Sequence, residues 1–328
     1  MTFHSSTDQT AAEPLTVVVD ARQQGDYATI TDALKAVKAG TRILVRPGVY
    51  KEGIIIDKPV EIIGDGKRDD IVIEAYGKET VVFQANNGRI ANLTLRQSGG
   101  SNCCGVNITQ GRLELEDCDI SSQSGPCVTI HGSADPTLHR NSIHDGKSSG
   151  VLVYENGQGT LEYNEIFTND FPGVAIMAGG NPTLCRNRIH DGKSSGVLVC
   201  KNGQGTLEYN EIFANAKAGV AIMTGGNPTM RRNRIHDGKE YGVFVDENGY
   251  GTLEDNEIFA NANDGVAIMT SNPTLRSNRI SKNGGWGIWV YKGGGGIFEN
   301  NDLRGNTKGA WDIAADCEAN VQRSGNIE

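Results

Sequence analysis

One asparagine per 23 residues governs what this chain can fold into. It stands at Asn141, Asn164, Asn187, Asn210, Asn233, Asn256, Asn278 and Asn301, with one interval of 22 between Asn256 and Asn278. Cys118 holds the slot one unit earlier. Two residues on comes an aliphatic: Ile143, Ile166, Ile189, Ile212, Ile235, Ile258, Ile280, then Leu303. A second register opens on glycine, at Gly150, Gly173, Gly196, Gly219, Gly242, Gly265 and Gly287. Val or Ile follows at the next position and again two further on. Three short apolar runs per unit, each too short for a helix, predict one coil of a parallel β-helix. Stacked coils then pair as parallel strands about 4.8 Å apart. Asparagine suits the bend, because it tolerates the left-handed backbone and its amide can stack in a ladder. The bend also lets Leu161 and Ile166 both face inward despite their odd separation.

The repeat is regular over 105–313. Before it, "DYATITDALKAVKAG" (26–40) reads as an amphipathic helix, with Ile30, Ala33, Leu34 and Val37 on one face and Gly40 as its stop. A solenoid end must be covered against edge pairing, and this short N-terminal α-helix is expected to be that cap. The expectation is one elongated domain over 16–328 behind a disordered leader at 1–15. That leader has neither a basic nor an apolar region, so it does not read as a secretory signal. No apolar run is long enough to span a membrane. A net charge of −9 argues against a nucleic-acid partner. The seven cysteines are odd in number and irregularly spaced, with Cys103 and Cys104 adjacent. They suit neither a disulfide framework nor a zinc knuckle and point to a reducing cytoplasm. No metal or cofactor is expected.

In the Gly-Val-x-Ile strand the middle residue points away from the core. Up the stack it reads Leu152, Ala175, Leu198, Ala221, Phe244, Ala267 and Trp289. The residue just after the second core position reads Tyr154, Met177, Cys200, Met223, Asp246, Met269 and Tyr291. A contiguous apolar strip marks an interaction site unless loops cover it. Leu152, Tyr154, Leu198, Phe244, Trp289 and Tyr291 are therefore binding candidates, for a protein partner, a second copy of the chain or a glycan. Other columns alternate in sign coil by coil, as in Glu165, Arg188, Glu211, Arg234, Glu257 and Arg279. Arg140, Tyr163, Arg186, Tyr209 and Arg232 alternate guanidinium with ring, so that they can stack. A two-coil unit lets unlike residues meet, where a one-coil unit would stack like on like.

The same logic bears on "IHDGK", which occurs at Ile143–Lys147, Ile189–Lys193 and Ile235–Lys239. Its histidine alternates with phenylalanine: His144, Phe167, His190, Phe213, His236, Phe259. Three readings stay open. Asp-Gly is a strong turn dipeptide, so the motif can be turn chemistry. It can also be a ligand-contacting edge through His144, His190 and His236. The third reading is a catalytic cluster, with His190, Asp191, Lys193 and the repeat-breaking Asp170 as its candidates. One His and one Asp per two coils are too sparse for a metal.

The opening "VVVDARQQGDYATITDALKAV…TRILVRPGVYKEGIIIDKPVEIIGDG" resembles the start of the pectin lyase-like right-handed β-helix superfamily, pectin methylesterases especially. The "NGQGTLEYNEIF…GVAIM" units are similar to carbohydrate-binding and sugar-hydrolase repeats, found in an F-box-only protein and beside NosD-type proteins. The resemblance implies an all-β fold, a single-stranded right-handed parallel β-helix. It does not imply an activity, because that fold hosts lyases, esterases, glycosidases, epimerases and plain binding proteins. The "DFIFG", "NTD…DD…HG…RIK" and "DPHE" signatures of its enzymes are absent, and so is an F-box. The expectation is a non-catalytic recognition or self-association surface; the alternative is a lyase, esterase or epimerase acting on an acidic polysaccharide.

Overall fold

A computed structural model describes residues 14–328, and in it the chain winds as a parallel β-solenoid. One coil consists of Thr160–Glu162, Glu165–Phe167 and Val174–Ile176. Each strand pairs in parallel with its counterpart 23 residues on, Thr183–Cys185, Arg188–His190 and Val197–Val199. We call the three stacks sheets A, B and C in that order. Sheet B stands alone with eleven strands, whereas sheets A and C are joined because one long strand, Val106–Glu116, runs through both. Leu161, Ile166, Val174 and Ile176 are fully buried, so each coil delivers four aliphatic side chains to one continuous core.

The asparagine column is a buried ladder between sheets A and B. Asn210 Oδ1 accepts from the backbone N–H and the Nδ2 of Asn187, both at 3.0 Å. Its own Nδ2 donates to the carbonyl of Leu184 and to Asn233 Oδ1, each at 2.9 Å. The pattern starts at the Cys118 N–H and runs to Asn326, which sits 25 residues beyond Asn301 and so escapes a fixed period. The residue just before each ladder asparagine takes the positive φ, as at Tyr163 (55°) and Arg186 (54°). The asparagine is kept for its amide and not for left-handed backbone. It satisfies backbone groups that the bend takes out of the sheets.

The leading glycines of sheet C are kept for a different reason, close packing. A Cβ on Gly196 would lie 2.5 Å from Ile212 Cγ2, 2.7 Å from the Gly219 carbonyl oxygen and 2.8 Å from Asn215 Nδ2. The cap helix spans Ile30–Ala36, shorter than the amphipathic pattern, with Val37 already extended but still buried. Thr29 caps its start through the Asp32 N–H, and the Glu52 carboxylate takes the N–H groups of Ile30 and Thr31 at 2.9 Å each. Lys58 Nζ donates to the carbonyls of Leu34 and Val37 and closes the other end. Of the expected 1–15 leader, residues 1–13 lie outside the described residues.

Candidate functional site

The outer face of sheet C has a regular relief set by side-chain size. Leu152, Leu198, Phe244 and Trp289 are half-buried, while Ala175, Ala221 and Ala267 between them are buried at 2%, 5% and 0% exposure. The large side chains of one coil thus cover the alanine of the next. Around Ala221 the face opens into a groove of about 530 Å³, walled by Leu198, Met223 and Phe244 and rimmed by Lys217, Glu240 and Tyr241. The Tyr241 ring stacks on Phe244 with centroids 5.5 Å apart, and Trp289 stacks on Tyr291 at 3.7 Å. Tyr154 packs against His131 at 4.8 Å. All six apolar candidates therefore lie on one face, half in contact with neighbours and half with water.

The histidines lie on another edge, at the end of sheet B. His144, Phe167, His190, Phe213, His236 and Phe259 form one unbroken stack, with centroid separations of 4.9, 5.5, 4.5, 5.4 and 4.7 Å. Each His also reaches two carboxylates. His190 Nδ1 is 2.7 Å from Asp191 Oδ2, and its Nε2 is 2.9 Å from Glu165 Oε1. His236 repeats this with Asp237 and Glu211, and His144 with Asp145 and Asp119. Asp145, Asp191 and Asp237 occupy the left-handed region, at φ 53°, 53° and 54°. The following Gly146, Gly192 and Gly238 each donate their N–H to an asparagine of the next coil, Asn169, Asn215 and Asn261. A Cβ on Gly146 would be 2.8 Å from that asparagine oxygen. The motif is thus a turn whose aspartate makes the bend and whose glycine admits a second asparagine ladder.

Asp170 lies between two copies of the motif. Lys193 Nζ is 2.7 Å from its Oδ1 and Lys147 Nζ 3.3 Å from its Oδ2. These lysines, Lys193 first, hold its carboxyl below the usual range. The four catalytic candidates are therefore placed in two separate pairs, His190 hydrogen-bonded with Asp191 and Lys193 ion-paired with Asp170. For His144, the hydrogen bond to Asp119 raises the pKa above the ordinary value; burial opposes the rise and Asp145 adds to it. A raised folded-state pKa contributes stability that is complete below the unfolded value of about 6.5 and is lost as pH climbs through the folded value. The ring protons of His144 are expected to titrate above that value in an NMR pH series, and Asp119→Asn to bring the midpoint down. A midpoint unmoved by Asp119→Asn would show that this carboxylate does not set the charge.

A polar cluster stands at the lower end of the sheet C face. Asn107 Oδ1 takes the Thr129 hydroxyl and His131 Nε2, both at 3.0 Å, and Cys104 Sγ lies 3.4 Å from Thr129 Oγ1. Burial pushes the Cys104 thiol up to about 11, which favours its protonated form. These residues lie one and two coils below Leu152 and Tyr154, the first members of the apolar columns, and the register of Asn107 with Thr129 and of Thr129 with Leu152 brings them to the strip. Among the described residues no group of three or more His, Cys, Asp or Glu side chains is placed to hold a metal, and no helix is long and apolar enough to cross a membrane.

Comparison with known proteins gives three kinds of likeness. The family model described as a right-handed β-helix region matches residues 80–227 and 202–326. SHC SH2 domain-binding protein 1 homolog A of Xenopus laevis is 32% identical over 143 residues, 41% of this chain and 20% of that protein. The Homo sapiens SHC SH2 domain-binding protein 1 is 28% identical over 142 residues, 42% and 21% of the two chains. The matched stretch thus spans about a fifth of those relatives' length. Among solved structures, the A-module of Azotobacter vinelandii mannuronan C-5 epimerase AlgE4 superposes with a TM-score of 0.73 at 17% identity, over 90% of this chain and 94% of that one. The periplasmic alginate epimerase AlgG gives 0.71 at 13% identity, over 96% and 85%. At those identities the likeness is one of fold.

Proposed function

The chain belongs to the right-handed β-helix family, and from that footing we propose that it is a non-catalytic recognition scaffold that docks a protein partner along the outer face of sheet C. The observation that carries this reading is the relief of that face. Leu198 and Phe244 wall a groove over Ala221, and the alternation of large and small side chains recurs every second coil. A partner's side chains can enter that groove and pack on the large residues, which recur about 9.6 Å apart, twice the strand spacing. They would bury apolar surface that water now touches. Lys217 and Glu240 supply the polar rim that protein interfaces carry around an apolar centre. The names of the SHC SH2 domain-binding relatives support a protein as the occupant. A non-catalytic role is supported by the catalytic candidates, which fall into two separate pairs and not one cluster. The seven free thiols support a cytoplasmic setting.

Light scattering on the wild type and on a Leu198→Asp/Phe244→Asp variant is the test. A wild-type dimer that the variant turns into a folded monomer identifies the partner as a second copy. A wild-type monomer directs the search to a heterologous protein, whose binding the variant should weaken at least a hundredfold, since two buried anchors are worth about 3 kcal/mol or more. Unchanged binding in the variant would overturn the reading.

A second reading, polysaccharide binding or chemistry on the same face, is favoured by the Asn107–Thr129–His131 cluster beneath Tyr154. Incubation with alginate and pectin, followed by ultraviolet absorbance for unsaturated ends and NMR for epimerised sugars, distinguishes it. Activity lost in His131→Ala would displace the docking reading.

A further inference from the structure

The His–Phe stack stops one ring short. Phe167 and Phe213 each carry a histidine ring on both faces. Phe259 has His236 on one face at 4.7 Å, and its counterpart in the next coil is Ser281, by the register that pairs Phe259 with Ser281. The place of the missing ring is a cleft of about 180 Å³ lined by Glu257, Phe259, Arg279, Ser281 and Lys282.

One wall matches what the three occupied positions offer. Asp119, Glu165 and Glu211 open the sheet B strand one coil below each histidine, and each faces that histidine's Nε2, at 3.2, 2.9 and 3.4 Å. Glu257 is the next member of that column. Arg234 Nε engages its Oε2 at 3.4 Å, while its Oε1 has no hydrogen-bond or ion-pair partner among the described residues. On the other side the aspartate that meets Nδ1 is replaced by Lys282, in the same left-handed conformation at φ 60°. An acceptor below and a donor beside the slot suit a flat ring with one N–H and one bare nitrogen, stacked on Phe259.

We propose that this cleft binds a neutral imidazole ring, supplied by a histidine side chain of a docked peptide or by a free imidazole compound. The ring N–H donates to Glu257 Oε1, the second nitrogen accepts from Lys282, and the face stacks on Phe259 as the histidines do elsewhere. The site lies at the end of sheet B, so it stands or falls independently of the sheet C face.

The experiment is an NMR titration of the full chain at mildly alkaline pH with imidazole and, in parallel, with the tripeptide Gly-His-Gly. Saturable shifts at Phe259 and Ser281 are expected, in the millimolar range that a ring of five heavy atoms can reach. Both probes binding points to a peptide histidine, and imidazole alone to a small molecule. Ser281→His should place the chain's own ring in the cleft, weaken either probe at least tenfold and raise Tm by about 2 °C. Ser281→Ala should keep the binding, and Phe259→Leu should lose it with the fold intact. No saturable shift with either probe, or shifts that persist unchanged in Ser281→His, would overturn the proposal.

Discussion

Replacing Asn210 by alanine lowers the stability of the solenoid by about 3–5 kcal/mol, because two or three buried groups lose their partners at about 1–3 kcal/mol each. The backbone N–H and side-chain amide of Asn187 lose their acceptor, and the carbonyl of Leu184 loses its donor. Asn210 is 1% exposed, so water does not replace them. Chemical denaturation followed by circular dichroism is the measurement, with Thr206→Ala on the outer face of sheet A as the control, expected within about 0.5 kcal/mol of wild type. An Asn210→Ala loss below about 1 kcal/mol would mean that the ladder is a consequence of the bend and not its support.

Gly196→Ala is expected to cost about 3 kcal/mol, the upper part of the range for forcing atoms into a packed interior. The added methyl meets Ile212 Cγ2 at 2.5 Å, and the Gly219 carbonyl at 2.7 Å belongs to the ladder that holds sheet C together. Ile212 can turn aside only by opening space in the core; the carbonyl can move only with its coil. The same denaturation series reads the effect. A variant as stable as wild type would show that coils slide apart by several tenths of an ångström without penalty, and that these glycines are not packing residues. Because each coil touches only its neighbours, both substitutions act locally, and a central coil such as this one weakens two interfaces at once.

The coil period, the inward aliphatics and the outward columns were legible from residue spacing alone. A strand residue's side is decided by its neighbours in the chain, and the 23-residue interval carries that decision from coil to coil. The pairing of Arg186 with Tyr163 and Tyr209, at 5.6 and 5.4 Å, follows in the same way from a two-coil alternation. Spacing also identified the bend and its asparagine, but assigned the asparagine the left-handed conformation that its preceding neighbour adopts. The Asp-Gly of "IHDGK" signalled a turn, but the partners that fix it were not legible, since its glycine answers to Asn169 and its histidine to Asp119, contacts that exist only once coils stack. Asp170 read as an irregularity until Lys147 and Lys193 closed on it from two coils. His131 lies one coil period before Tyr154, but its stacking on that ring and its bond to Asn107 appear only in the folded chain. Sequence alone thus determined the solenoid and which side each residue takes, because both are local and periodic. Tertiary stacking decided which charges are engaged, where the sheet C face opens into a groove and where the aromatic stack is left open, because those depend on residues one coil away meeting within a few ångströms.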